Sequence, residues 1–219
     1  MIDCLTREQG AFLIDPEDKD KLEKAVWPDG HTINRDVITQ PAKVIAEIAC
    51  IPGVGEDRSM ILVEETGRGP GYLFSGEKLS VVLTLYKYTR FEDAIRYVNE
   101  IHAYQGAGHS CSIQSTNEDH IMALALGTKT TRVMVNQPQS GANSGDGNNG
   151  MPVTGSPGRG TWGGDIVSAT NALKHLLNNT WLSTPVPGHV PPAPDLSSAA
   201  RNRANPTKNT GTVPPPSNA

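Results

Sequence analysis

Leu79-Ser80-Val81-Val82-Leu83-Thr84-Leu85-Tyr86-Lys87-Tyr88 is the longest β-like run in the chain, and its middle is nearly all apolar. Such runs fit strands covered on both faces, as in α/β sheets. Thr89 and Glu92 follow with the spacing of a capping box. The helix they open places Phe91, Ile95, Val98, Ile101 and His102 on one face. Gly106-Ala107-Gly108 breaks it, and His109 to Gln114 reads as a short strand. Ser115 and Glu118 form a second capping box before a helix with Ile121, Met122, Leu124 and Ala125, and a strand follows at Val133 to Val135. Upstream, Ser59-Met60-Ile61-Leu62-Val63-Glu64 is another buried-strand candidate. Strands and helices thus alternate from Ile61 to Asn136, the α/β pattern with a mostly parallel sheet.

The flanks are less regular. Asp3 to Phe12 reads as a helix. Asp15-Pro16-Glu17-Asp18 supplies a cap, a proline at the first helical position and acids in the first turn of a helix running to about Trp27. Gln40-Pro41 starts another, with Val44, Ile45, Ile48 and Ala49 as its apolar stripe, and Pro52-Gly53 stops it. Beyond Asn136 comes a long loop that carries Met151-Pro152 and the corner Trp162-Gly163-Gly164, then a helical pattern ending near Asn178. Loops this long are usually functional or disordered, and the aromatic and paired glycines favour a packed functional loop. Thr180 to Ser183 is a terminal strand candidate. The expected organisation is one domain over residues 1–187 and a disordered Pro/Ser/Asn-rich tail over 188–219.

Composition narrows the function. A chain of 219 residues can bury one sizeable core. A net charge of −4 argues against non-specific nucleic-acid binding. No apolar run reaches membrane-spanning length and no secretory signal opens the chain, so no membrane and a cytoplasmic location are expected. Cys4, Cys50 and Cys111 are scattered, so neither a zinc site nor a disulfide framework is expected, and buried free thiols are the simplest reading.

Several motifs fail on context. Gly108-His109-Ser110-Cys111-Ser112 lacks the closing glycine of a nucleophile elbow and has its flanking elements in the wrong order. Gly67 to Gly71 contains Pro70 and opens no helix, so it is not a dinucleotide fingerprint. Ser144-Gly145-Asp146-Gly147 has too few carboxylates for calcium. His31, His120 and His189 show no ligand spacing and read as surface residues. Glu64-Glu65 reads as a solvated strand end, since neighbouring strand residues face opposite ways. His109, at a glycine turn, is open to a ligand-facing role or to that of a hydrogen-bonded residue at a strand start. Arg132 and Arg159 could each grip an anion or simply be solvated.

Taken in order, the segments resemble one family. Glu77-Lys78-Leu79-Ser80 before a long apolar strand resembles the cofactor-contacting segment of aldehyde dehydrogenases. Gly106-Ala107-Gly108-His109-Ser110, Arg132-Val133-Met134-Val135-Asn136 and Trp162-Gly163-Gly164 followed by Lys174-His175-Leu176-Leu177-Asn178 resemble the coenzyme-A-acylating branch. Val133 to Pro138 with Asn148-Asn149-Gly150-Met151-Pro152 resembles its members that act on sulfoacetaldehyde. Departures are Val81 where proline is usual, Tyr72-Leu73 for His-Pro, Arg159 where the loop often has cysteine, and Asn136 where the sulfoacetaldehyde members often have arginine.

The resemblance implies a fold and roles. The fold would be that of an aldehyde dehydrogenase catalytic domain: an open, mostly parallel sheet flanked by helices, with the N-terminal dinucleotide-binding half missing. Cofactors would be NAD or NADP, with coenzyme A as co-substrate and a small aldehyde as partner. Glu77 would hydrogen-bond the nicotinamide-side ribose, with Leu79 as an apolar contact beside it. His109, Trp162, Gly163 and Gly164 would line the substrate or coenzyme A region. Family chemistry starts with thiolate attack on the aldehyde, and Cys4, Cys50 and Cys111 match no catalytic position. The resemblance therefore implies a C-terminal fragment that is inactive alone, or a non-catalytic module that docks on a complete subunit. Homo-oligomerisation is the other partner expectation.

Overall fold

The computed structural model describes residues 1–145, 149–169, 171–178, 180 and 182–185. The strands and helices belong to the unit Met1–Leu177; a second unit spans Asn178–Ala219. The tail expected over 188–219 lies outside the described residues, as does Trp181 of the expected terminal strand, whose neighbours Thr180, Leu182 and Ser183 form no strand. Asp146 and Gly147 of the rejected metal loop also lie outside them.

All strands among the described residues pair in parallel, and they form two sheets. Strand β1 (Ala11–Leu13), β2 (Met60–Glu64) and β3 (Val82–Leu85) make the first, with β2 in the centre. Strands β4 (Gly108–Ile113) and β5 (Thr130–Val135) make the second, with Gly108 opposite Thr130 and Ile113 opposite Val135. Parallel neighbours need long crossovers. Helices α2 (Lys19–Val26) and α3 (Ala42–Ile48) lie between β1 and β2, and α5 (Glu118–Gly127) links β4 to β5. Helix α4 (Phe91–Tyr104) follows β3 and leads into the second sheet.

The core gathers on the first sheet. Ile61, Leu62 and Val63 of β2 are buried in succession, as a central parallel strand requires. Leu22 and Val26 of α2, Ala42, Ile45 and Ala46 of α3, and Val82 are buried there, and Trp27 meets Phe74 edge-on at 5.3 Å between centroids. Each large apolar side chain so buried contributes roughly 1.5–3 kcal/mol. The second sheet is thinly covered. Cys111, Leu124 and Met134 are buried there, α4 has no fully buried residue, and Met122 and Leu126 of α5 stay exposed.

Several expectations are corrected. The first helix, α1, is Ile2–Glu8 and stops short of Phe12, because Gly10 at φ +68° turns the chain into β1. The stripe of α3 is Ala42, Ile45 and Ala46 instead of one containing Ile48, which is exposed. The long apolar run pairs only over Val82–Leu85, and Leu83 is exposed, so β3 is covered on one face. Neither capping box forms at the expected residue. Arg90 occupies the first N-cap without a side-chain bond, and Asn117 makes the second cap, accepting from the N–H groups of Asp119 and His120. The helical pattern before Asn178 yields a single turn, α7 (Leu173–Leu176); α6 is an equally short turn at Gln139–Ala142. Cys4 and Cys50 are exposed; Cys111 is the buried thiol.

Glu65 is also no solvated strand end. Its carboxylate is buried, lies 2.7 Å from Lys19 Nζ and accepts the N–H groups of Thr66 and Gly67. Burial pushes its pKa up, but the Lys19 ammonium and those N–H donors outweigh burial and hold it below the ordinary 4.5. A depressed carboxyl contributes stability that is full above pH 4.5 and fades as pH falls through the folded value. Glu65→Gln is therefore expected to lower stability by about 1–2 kcal/mol near pH 7. The deficit should shrink in acid; urea titrations with the same deficit at pH 7 and pH 3 would contradict it.

Candidate functional site

The two sheets meet at a cavity of about 620 Å³ whose walls come from segments far apart in the chain. The turn after β2 supplies Phe74 to Lys78, β3 supplies Leu83 and Thr84, and Tyr86 follows. The end of α4 supplies Ile101, His102 and Gln105, β4 supplies His109 and Ser110, and the late loop supplies Arg159.

Polar bonds fix the Glu77 wall. The Glu77 N–H donates to Gln105 Oε1 at 2.6 Å, which ties it to the end of α4. A Cβ at Gly76 would stand 2.7 Å from Gln105 Oε1, so a side chain there would have to push that amide aside. The Lys78 ammonium donates to the carbonyls of Phe74 and Gly76 at 2.8 and 2.7 Å, and Thr84 Oγ1 donates to the same Phe74 carbonyl. Burial pulls the Lys78 pKa down to about 8. Leu79 adopts φ +47°, is exposed and does not line the cavity.

His109 forms the opposite wall. Its N–H donates to the Gly106 carbonyl across a tight turn, and Thr131 Oγ1 donates to the Gly108 and His109 carbonyls. His109 Nδ1 lies 2.9 Å from Ser110 Oγ, which is buried. Burial first, then the nearby Arg132 and Arg159 charges, hold the His109 pKa below 6.5 against the opposing pull of Glu77. His102, half-buried beside it, is shifted down by burial and by His109.

The two arginines part ways. Arg132 is buried and is a scaffold: it donates to Asn143 Oδ1 at 2.7 Å and to the Gly158 carbonyl at 2.8 Å, which pins the late loop to β5. Arg159 lines the cavity and pairs with Asp165 through both its side-chain and backbone N–H groups. That pairing holds the Asp165 carboxyl below its ordinary range.

The Trp162 corner packs against the β4 turn and opens on a neighbouring cavity. Trp162 is exposed and lines it with Asn99, Ala103, Ala107, Gly108 and Lys129; His102 lines both cavities. Gly163 is wedged between Arg159 and the Ala107 carbonyl, while Gly164 takes the left-handed φ of +80° that ends the turn. The structure thus brings Glu77 and His109 into one cavity and sets Trp162, Gly163 and Gly164 next to it. Lys78, Gln105, Ser110 and Gln139 were not foreseen, because their roles depend on partners 28 or 29 residues distant or on carbonyls exposed by a turn. Among the described residues, no cluster of three or more His, Cys, Asp or Glu could hold a metal. No described helix is long and apolar enough to cross a membrane.

No protein-family model matches the chain. It is 41% identical over 197 residues to a sulfoacetaldehyde dehydrogenase (acylating) of Cupriavidus necator, covering 90% of this chain and 40% of that protein. It is 36% identical to the protein of the same name from Bilophila wadsworthia, covering 82% of this chain and 39% of the relative. The crystal structure of an acetylating aldehyde dehydrogenase from Geobacillus thermoglucosidasius superposes with a TM-score of 0.76 at 26% identity, over 86% of this chain and 42% of that one. The chain thus spans about 40% of the length of the curated relatives it matches.

Proposed function

Because the chain is a partial region of the acylating aldehyde dehydrogenases, we propose that it supplies one wall of such an enzyme's active site. The reaction is the conversion of an aldehyde, coenzyme A and NAD(P)+ to acyl-CoA and NAD(P)H, with sulfoacetaldehyde as the substrate type. The observation that carries this reading is the meeting of Glu77, His109 and Arg159 in one cavity.

The lining suits the nicotinamide-riboside end of a dinucleotide. Glu77 is acceptor-only when ionised, so it can take hydrogen bonds from ribose hydroxyls. Lys78, turned onto its own backbone, leaves that carboxylate free. Leu79 stands outside this lining, exposed two residues on, where it could meet the dinucleotide only beyond the cavity. A bound dinucleotide would accept the hydride. His109 would act as a neutral hydrogen-bond partner, and Trp162 with Gly163 and Gly164 would flank the acyl-CoA side.

Nicotinamide mononucleotide tests the reading on this chain. Titrated into 15N-labelled protein, it should shift the amides of residues 74–78 and 106–110. Glu77→Gln should weaken that binding about tenfold, the worth of one charge-assisted hydrogen bond. Shifts spread elsewhere, or unchanged affinity in the variant, would refute it.

A second reading is favoured by the apolar surface left open at Leu83, Met122 and Leu126. On it, the chain docks on a complete subunit of the same family. Comigration with a full-length relative in gel filtration supports this, and independent elution counts against it.

A further inference from the structure

The cavity wall contains a hydrogen-bond chain that reaches back into the fold. Gln139, at the start of α6, directs its side-chain amide at Ser110: Nε2 lies 3.0 Å from Ser110 Oγ and 3.1 Å from the Ser110 carbonyl. Ser110 Oγ in turn lies 2.9 Å from His109 Nδ1. Ser110 is 4% exposed, so water competes weakly for its hydroxyl.

The direction of the chain follows from donor and acceptor inventory. An amide NH₂ can only donate, so Ser110 Oγ accepts from Gln139. The serine proton is then free to donate, and His109 Nδ1 is the acceptor at hand. An imidazole that accepts at Nδ1 must carry its proton on Nε2. We propose that Ser110 and Gln139 are positioning residues that hold His109 as the Nε2–H tautomer, a neutral hydrogen-bond donor in the cavity. This rests on the proposed role of His109 but is tested without any cofactor or substrate. The chemical class such a donor suits is a carbonyl oxygen, as in an aldehyde or thioester. A hydrogen bond donated to Nδ1 favours the neutral ring, in line with the lowered His109 pKa.

Long-range 1H–15N correlation spectra of the whole chain distinguish the tautomers directly. The unsubstituted protein should show His109 with a protonated Nε2 above pH 7. Ser110→Ala should mix the two tautomers and move the His109 titration upwards by roughly half to one pH unit. Ser110→Thr, which keeps the hydroxyl, should restore both. Gln139→Glu reverses the chain: its carboxylate accepts a hydrogen bond from the serine hydroxyl, so Ser110 Oγ must accept from His109, and the ring should switch to Nδ1–H. An Nδ1–H ring in the unsubstituted chain overturns the proposal, whatever the variants do. So does a Ser110→Ala protein whose His109 tautomer and titration are unchanged. Nicotinamide mononucleotide binding that fails while the tautomers behave as stated would reject the proposed function and leave this inference standing.

Discussion

Purified chain mixed with sulfoacetaldehyde, coenzyme A and either nicotinamide dinucleotide is expected to form no NAD(P)H above the protein-free blank. Acyl transfer through a thioester needs a thiolate at the reacting carbon. None of the three cysteines lines the cavity that contains Glu77 and His109. Cys111 is buried, its sulfur 3.7 Å from Thr130 Oγ1 and 3.9 Å from Thr128 Oγ1, which is the setting of an inert structural thiol. Cys4 and Cys50 are exposed at the surface of α1 and after α3. Enzymes of ordinary efficiency exceed the uncatalysed rate by about a millionfold or more, so the contrast is measurable. Absorbance at 340 nm checks it. Turnover abolished by a serine at any of the three cysteines would overturn it.

Gly108→Val is expected to release the Trp162 corner and to cost the fold about 3 kcal/mol or more. Gly108 sits at φ +77°, where a β-branched residue is strained by roughly 1–3 kcal/mol. The strain adds to collision. A Cβ at Gly108 would run into the Arg159 carbonyl and stand 2.6 Å from Gly163 N and 3.0 Å from Trp162 Cβ. Two of these atoms belong to backbone, which cannot rotate away. The late loop must therefore lift, and with it Arg159 leaves the cavity wall. Urea unfolding followed by circular dichroism and by tryptophan fluorescence checks both parts. A variant with wild-type stability and unchanged Trp162 accessibility to quencher would refute the argument. Gly106→Ala is the useful contrast, because nothing lies within 4 Å of a Cβ there and only its φ of +88° opposes the change.

The readings that held rest on periodicity. Met60 to Val63 is apolar without a break, and it lies in the central strand. The spacing of Phe91, Ile95, Val98 and Ile101 marked α4 as a helix. The readings that failed depend on partners. The run from Leu79 to Tyr88 is longer and nearly all apolar in its middle, yet only four residues pair with β2, and Leu79 is diverted to a positive φ where its carbonyl accepts from Thr39. Arg132 could not be told from a surface charge, because its acceptors lie 11 and 26 residues away.

Local order in the chain by itself determined that this is an α/β protein with parallel strands, and the succession of the Glu77, His109 and Trp162 segments determined its family resemblance. Tertiary structure alone decided that Glu77 and His109 share one cavity, that Arg132 is a staple while Arg159 lines that cavity, and that a serine stands between Gln139 and the imidazole. The physical reason is range. Backbone preference and apolar spacing act over a few residues and are written in neighbours, whereas a hydrogen bond across 29 residues exists only once two separate segments have been packed together.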